Sequence, residues 1–166
     1  LPSKMVSSTN WYAVFGYVFA AFNLSYAVIM IFIVDWFFEN ILFGKPPPTG
    51  HQWTYSTSGA GLVCVGIAAI GILMIRGGAR NELAIPYCRF QVLFWTMWCC
   101  WEAHWLIVGA SKPVVGVVQF LACFVTLFLA MQAYKYCDDV RVEEEEQQQQ
   151  QPKSTLRGVL EGETRV

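Results

Sequence analysis

The 166-residue chain is 55% hydrophobic and 14% charged, with a formal net charge of −1 at pH 7. Soluble domains carry closer to one-quarter charged residues, so the composition argues against a water-soluble globule. Eight of the twelve acids fall in the last 30 residues, and no basic cluster marks a nucleic-acid surface.

After a short N-terminal segment (1–10), four apolar stretches follow, each near the roughly 20 residues that a bilayer span needs. The first is Trp11–Phe38, too long for a signal peptide and without a basic leading region. The others are about 58–75, 85–110 and 114–136. Backbone groups in lipid must be satisfied internally, which leaves helices or barrel strands. Strands alternate over about ten residues, whereas these runs are longer and continuous, so helices are expected.

The connections are short. "GKPPPTGHQWTYSTS" (44–58) reads as a stiff loop, because three prolines favour extended polyproline geometry. "RGGARNE" (76–82) is a tight basic turn, and "GASKP" (109–113) is a hairpin in which Pro113 starts the fourth helix. The expected fold is therefore an all-α integral membrane protein, a four-helix up-down-up-down bundle over 11–136 with both termini on one side. Lys4, Arg76, Arg80, Arg89 and Lys135 against Lys45 and Lys112 put that side in the cytoplasm, stroma or matrix. The acidic, Gln-rich extension 137–166 is expected to be disordered alone, apart from a helical stretch reaching Gln151, before Pro152. A partner subunit is expected to order it.

The densest chemistry is "FWTMWCCWEAHW" (94–105) in the third helix. At 100° per residue, Gln91, Trp95, Trp98, Glu102 and Trp105 share one face, and Leu93, Met97, Cys100 and His104 another. Glu102 and His104 are 200° apart, which argues against a shared acid–base or metal pocket. Glu102, an ionisable group inside a span, is a functional candidate. Asp35 lies towards the same membrane side, with Lys45 and His51 in the loop there, and Asp35, Glu102 and His51 would form a proton or cation site. The plainer reading is a Glu satisfied by hydrogen bonds or by Lys112. His104 is a candidate axial ligand for a chlorophyll magnesium. A bis-histidine haem is not expected, because the other histidine, His51, lies in a loop. The plainer alternative is a histidine bonded to a neighbouring helix.

Other signals are weaker. Thr57, Gly61, Cys64, Ala68 and Gly71 form a small-residue stripe, either a docking face for another subunit or a packing face inside the bundle. None of the six cysteines makes a C-x-x-C pair, so most read as small apolar packers, with Cys137 a juxtamembrane candidate for palmitoylation. The sequon at Asn23 lies inside a span, and the terminal "ETRV" matches a four-residue PDZ-ligand pattern.

"LFGKP" (42–46) and "GASKPVVGV" (109–117) give the layout a resemblance to the small four-helix scaffold family of the ergosterol pathway. That resemblance implies an endoplasmic-reticulum tether for sterol enzymes, and it carries no site residues over. The light-harvesting Glu-x-x-x-Gly-Arg pattern is absent. The function expected first is a non-catalytic accessory subunit of a large membrane complex. It leans towards a photosystem-antenna supercomplex of the thylakoid, binding other membrane subunits, structural lipids and chlorophyll or carotenoid. Alternatives are a subunit of a mitochondrial respiratory or ATP synthase complex, a small channel or proton-coupled transporter using Asp35 and Glu102, and the sterol-enzyme scaffold.

Overall fold

The computed structural model describes residues 9–37, 51–108 and 113–150, without the side chains of Phe37, residues 51–55, Trp105 and Gln150. Its elements are α1 (Trp11–Phe32), α2 (Val34–Phe37), α3 (His51–Gly77), α4 (Ala84–Ile107) and α5 (Pro113–Gln150). Three helical stretches are long and apolar enough to cross a membrane: Trp11–Phe32, Ser56–Gly77 and Pro113–Gln149. The expected span at 85–110 forms α4, long enough at 24 residues. Arg89, Gln91, Glu102, His104 and its tryptophans dilute its apolar character.

The boundaries differ from expectation in two places. The first helix stops at Phe32 instead of Phe38, with a break at Ile33 (φ −132°, ψ 49°) before the one-turn α2. Twenty-two residues already cover about 33 Å, the thickness of a hydrocarbon core, and the break lets exposed Asp35 leave it. The second long helix begins at His51, inside the expected loop. After the prolines and Gly50 no helix breaker occurs until Gly59, which α3 tolerates. The last helix runs through Tyr136 without a break into the helical extension expected there, because the Glu and Gln residues beyond it are good helix formers. At 1.5 Å per residue α5 is about 57 Å long, so its charged end projects beyond a bilayer core.

Helix ends follow local chemistry. Asn10 caps α1, its side chain accepting from the Ala13 N–H at 3.0 Å. Gly78 takes φ 76° just past the end of α3, where its N–H reaches the Ile75 carbonyl at 3.0 Å. Asn81 then leads into α4, its side chain accepting from the Leu83 N–H at 2.9 Å and its carbonyl from the Ala84 N–H at 2.9 Å.

The core lies among α1, α4 and α5. It is built from Tyr12, Phe15 and Phe19 of α1, Cys88, Trp95 and Cys99 of α4, and Cys123, Ala130, Ala133 and Cys137 of α5. Helix α3 packs along α1, α1 along α5, and α5 along α4. Cross-contacts set the directions. Tyr12 donates to the Met74 carbonyl (3.0 Å) while Gly61 lies against Ala27 and Met30, so α1 and α3 are antiparallel. Gln119 donates to the Tyr26 hydroxyl at 3.1 Å, tying α5 to α1.

Candidate functional site

The α4 segment that concentrates the chemistry divides sharply. Ala84, Cys88, Gln91, Trp95 and Cys99 recur at three- and four-residue intervals and are all buried. Trp95 is the hub of the core: the rings of Phe19, Phe22 and Phe94 meet it edge-on at 6.0, 5.6 and 5.5 Å between centroids. The opposite face, Leu93, Met97, Cys100 and His104, is exposed, and Trp101 is also mostly exposed. Angular arithmetic on the sequence separates these two faces; the structure adds which one points inward.

Glu102 is half-buried on the inner side. The Trp98 indole N–H, one turn earlier, donates to its carboxylate. Tyr26 of α1 and Cys123 of α5 lie within electrostatic range of it. Glu102 therefore sits where three helices meet, close to the Tyr26–Gln119 bond, and no ion pair among the described residues includes it. Among the described residues its contacts are polar and neutral, which in low dielectric is an electrostatically demanding arrangement.

The other candidates are not gathered around it. Asp35 is exposed on α2, in a shallow pocket formed by Ile31, Phe32, Ile33, Val34 and Trp36. His104 lies on the outward face of α4, away from the core. The side chain of His51, and Lys45 and Lys112, fall outside the described residues. Among the described residues no cluster of three or more His, Cys, Asp or Glu has a metal-binding arrangement.

The small-residue stripe of α3 faces α1. Thr57, Gly61, Ala68 and Gly71 are buried and Cys64 half-buried. A methyl group built on Gly61 would lie 2.7 Å from Ile31 Cγ1, and one on Gly71 would lie 3.1 Å from the Phe19 ring. The stripe is thus occupied inside the bundle, by close approach of two helices. Asn23, the sequon residue, turns its amide back to the Phe19 carbonyl at 2.9 Å.

Several contacts carry no local sequence signal. Cys137, expected to be available for acylation, is completely buried and hydrogen-bonded to Cys88 of α4, so in this fold it is a packing residue. Arg89 donates to the Tyr134 hydroxyl at 3.2 Å and lies over that ring. Arg80, in the glycine turn, pairs with Glu144 of the α5 extension at 3.0 Å. Arg141 adds bonds to Asp138 and Glu145 at 3.6 and 3.5 Å. The base of the extension is therefore paired within the chain itself, and residues 151–166, with the "ETRV" end, lie outside the described residues. The ergosterol-scaffold pieces at 42–46 and 109–112 lie outside them too. No protein-family model matches the chain, and no curated protein or solved structure is detectably similar to it.

Proposed function

We propose that the chain is a non-catalytic accessory subunit of a larger membrane protein complex, spanning the bilayer with α1, α3, α4 and α5. In this reading both chain ends lie on the side of Arg76, Arg80 and Arg89. The observation that carries it is the α5 extension, a helix continuous with a membrane span whose outer part, Glu145–Gln149, is exposed. Helices shorter than about 12–15 residues are marginal in water by themselves. Continuity with the span and the Arg80–Glu144 pair stiffen this one, giving a projecting acidic arm suited to a neighbouring subunit. Native electrophoresis in mild detergent tests the reading. Migration in a complex is expected, with the complex lost when residues 138–166 are deleted. A lone 18.8 kDa species from gently solubilised native membrane would overturn it.

A photosystem-antenna supercomplex of the thylakoid is the first choice of complex, followed by a respiratory or ATP synthase complex of the mitochondrial inner membrane. His104 is the reason for that order. It shares an outward face with Leu93 and Met97, so a chlorophyll magnesium bound there would lie between this subunit and lipid or a neighbour. Chlorophyll bands in the purified complex that weaken in His104→Ala are the expected result. Their absence from the wild-type complex removes the thylakoid reading and leaves the mitochondrial one.

One observation favours a second reading, a proton-conducting protein. Glu102 lies at the meeting point of α1, α4 and α5, beside Trp98 and Tyr26. Proton flux into liposomes that is abolished by Glu102→Gln and retained in Asp35→Asn would support it over the accessory-subunit reading.

A further inference from the structure

Two buried polar atoms lack any hydrogen-bond partner, Gln91 Oε1 and Trp95 Nε1, and a third, the Tyr87 hydroxyl, has only the Gln91 amide one turn away. They belong to residues spaced by four along α4, so they climb one helix face about 6 Å per step. Gln91 and Trp95 are among the most enclosed residues of the protein, at 3% and 2% exposure. A buried polar group without a partner is strongly disfavoured, and two of them one turn apart, in register with a third polar group, are not independent accidents.

The surroundings leave Gln91 Oε1 and Trp95 Nε1 no direct protein partner. Trp95 is walled by Phe19, Phe22 and Phe94, none of which offers an acceptor to its indole N–H. Across from Tyr87, α3 presents Gly71, where even a methyl group would come within 3.5 Å of the Tyr87 hydroxyl. Helices α3 and α4, joined by a short turn, do not pack extensively against each other. The polar ladder thus lies along a boundary between α3 and α4 that is not extensively packed.

The chemistry of the three atoms selects the occupant. Trp95 Nε1–H can only donate and Gln91 Oε1 can only accept, while the Tyr87 hydroxyl does both. An anion would satisfy Trp95 and leave Gln91 facing a second acceptor. A cation would satisfy Gln91 and confront the indole N–H. A molecule that bridges them must donate and accept through one neutral group, which is a hydroxyl. Two hydrogen bonds meeting at one near-tetrahedral oxygen span about 4.5–5 Å, a reach suited to side chains one helical turn apart.

The geometry points to an internal hydroxyl-binding site on α4, in which Gln91 and Trp95 share a bridging oxygen and Tyr87 extends the chain towards α3. Water and the hydroxyl of a sterol have this chemistry. The inference stands independently of the accessory-subunit reading.

The test uses the full chain in phosphatidylcholine nanodiscs with ¹⁵N-labelled tryptophan. The Trp95 indole signal is identified by its loss in Trp95→Phe. Magnetisation transfer from water to the Trp95 indole proton is expected, with at least a tenfold loss in Gln91→Leu and no change in Leu93→Ala on the outward face. Tyr87→Phe, which keeps the ring, should shift the same signal while leaving the helical circular dichroism unchanged. If a sterol supplies the hydroxyl, water transfer is absent until then, and added cholesterol moves the Trp95 signal. An indole proton that sees neither water nor sterol, and is unmoved by Gln91→Leu, would overturn the site.

Discussion

Two glycines of α3 make a matched experiment on how that helix docks. Gly61 faces α1, where an added methyl group meets Ile31 Cγ1 at 2.7 Å, Met30 Cβ at 3.2 Å and the Ala27 carbonyl oxygen at 3.3 Å. The carbonyl belongs to helical backbone and cannot rotate away, and Ile31 is branched close to its own backbone. Gly66, on the opposite side, has nothing within 4 Å of an added methyl. Replacing glycine by alanine within a helix gains about 0.5–1 kcal/mol from backbone entropy. Overpacking costs about 1–3 kcal/mol. Gly66→Ala should therefore stabilise by a few tenths to about 1 kcal/mol. Gly61→Ala should come out neutral to about 2 kcal/mol destabilised, since the two terms oppose each other. The assay is reversible unfolding in mixed micelles, followed by far-ultraviolet circular dichroism against denaturing-detergent fraction. Comparing two alanines on one helix cancels the solvent contribution common to both. If Gly61→Ala stabilises as much as Gly66→Ala, the Thr57–Gly71 stripe does not carry the α1–α3 contact.

Other consequences are equally direct. Trp95→Ala should destabilise the isolated chain by about 3 kcal/mol, the low end for a buried Trp, because in lipid the loss is mainly of packing. Trp101→Ala, 56% exposed, should change that stability by less than about 0.5 kcal/mol. Equal losses from the two would mean that α4 is rotated. The Arg80–Glu144 pair joins side chains 79% and 38% exposed, so Arg80→Ala should cost no more than about 1 kcal/mol globally. Its effect should instead appear as faster amide hydrogen exchange over residues 143–150. Unchanged exchange there would mean that the extension is ordered without the turn.

Much of the fold can be read from the sequence because lipid imposes a length rule and helices impose a 100° rule. The four long helices, the division of α4 into two faces and the separation of Glu102 from His104 all follow from those rules. Endpoints are less legible: nothing local in the run from Ile31 to Val34 announces the break at Ile33. The inward direction of α4 is also hidden, since Trp95 and Trp101 are the same residue type in the same apolar context. Least legible are pairings between distant positions. Cys88 with Cys137, Tyr26 with Gln119 and Arg80 with Glu144 join residues whose neighbours give no hint of the match. The polar ladder of Tyr87, Gln91 and Trp95 has a periodic signature, but burial alone makes it meaningful.

The packing order, α3 on α1, α1 on α5 and α5 on α4, has a consequence for how the molecule is put together. It amounts to two helical hairpins in series, one from α1 and α3 and one from α4 and α5, meeting mainly where α1 packs on α5 and on Trp95 of α4. Each hairpin closes over a short stretch of chain, so each can assemble as it enters the bilayer, before its counterpart exists. The turn from Gly78 to Leu83 then acts as a hyphen between two halves. A gene split there should yield two fragments that find each other in the membrane, and residues of the α1–α5 seam, Tyr26 and Gln119 among them, would decide how well they do.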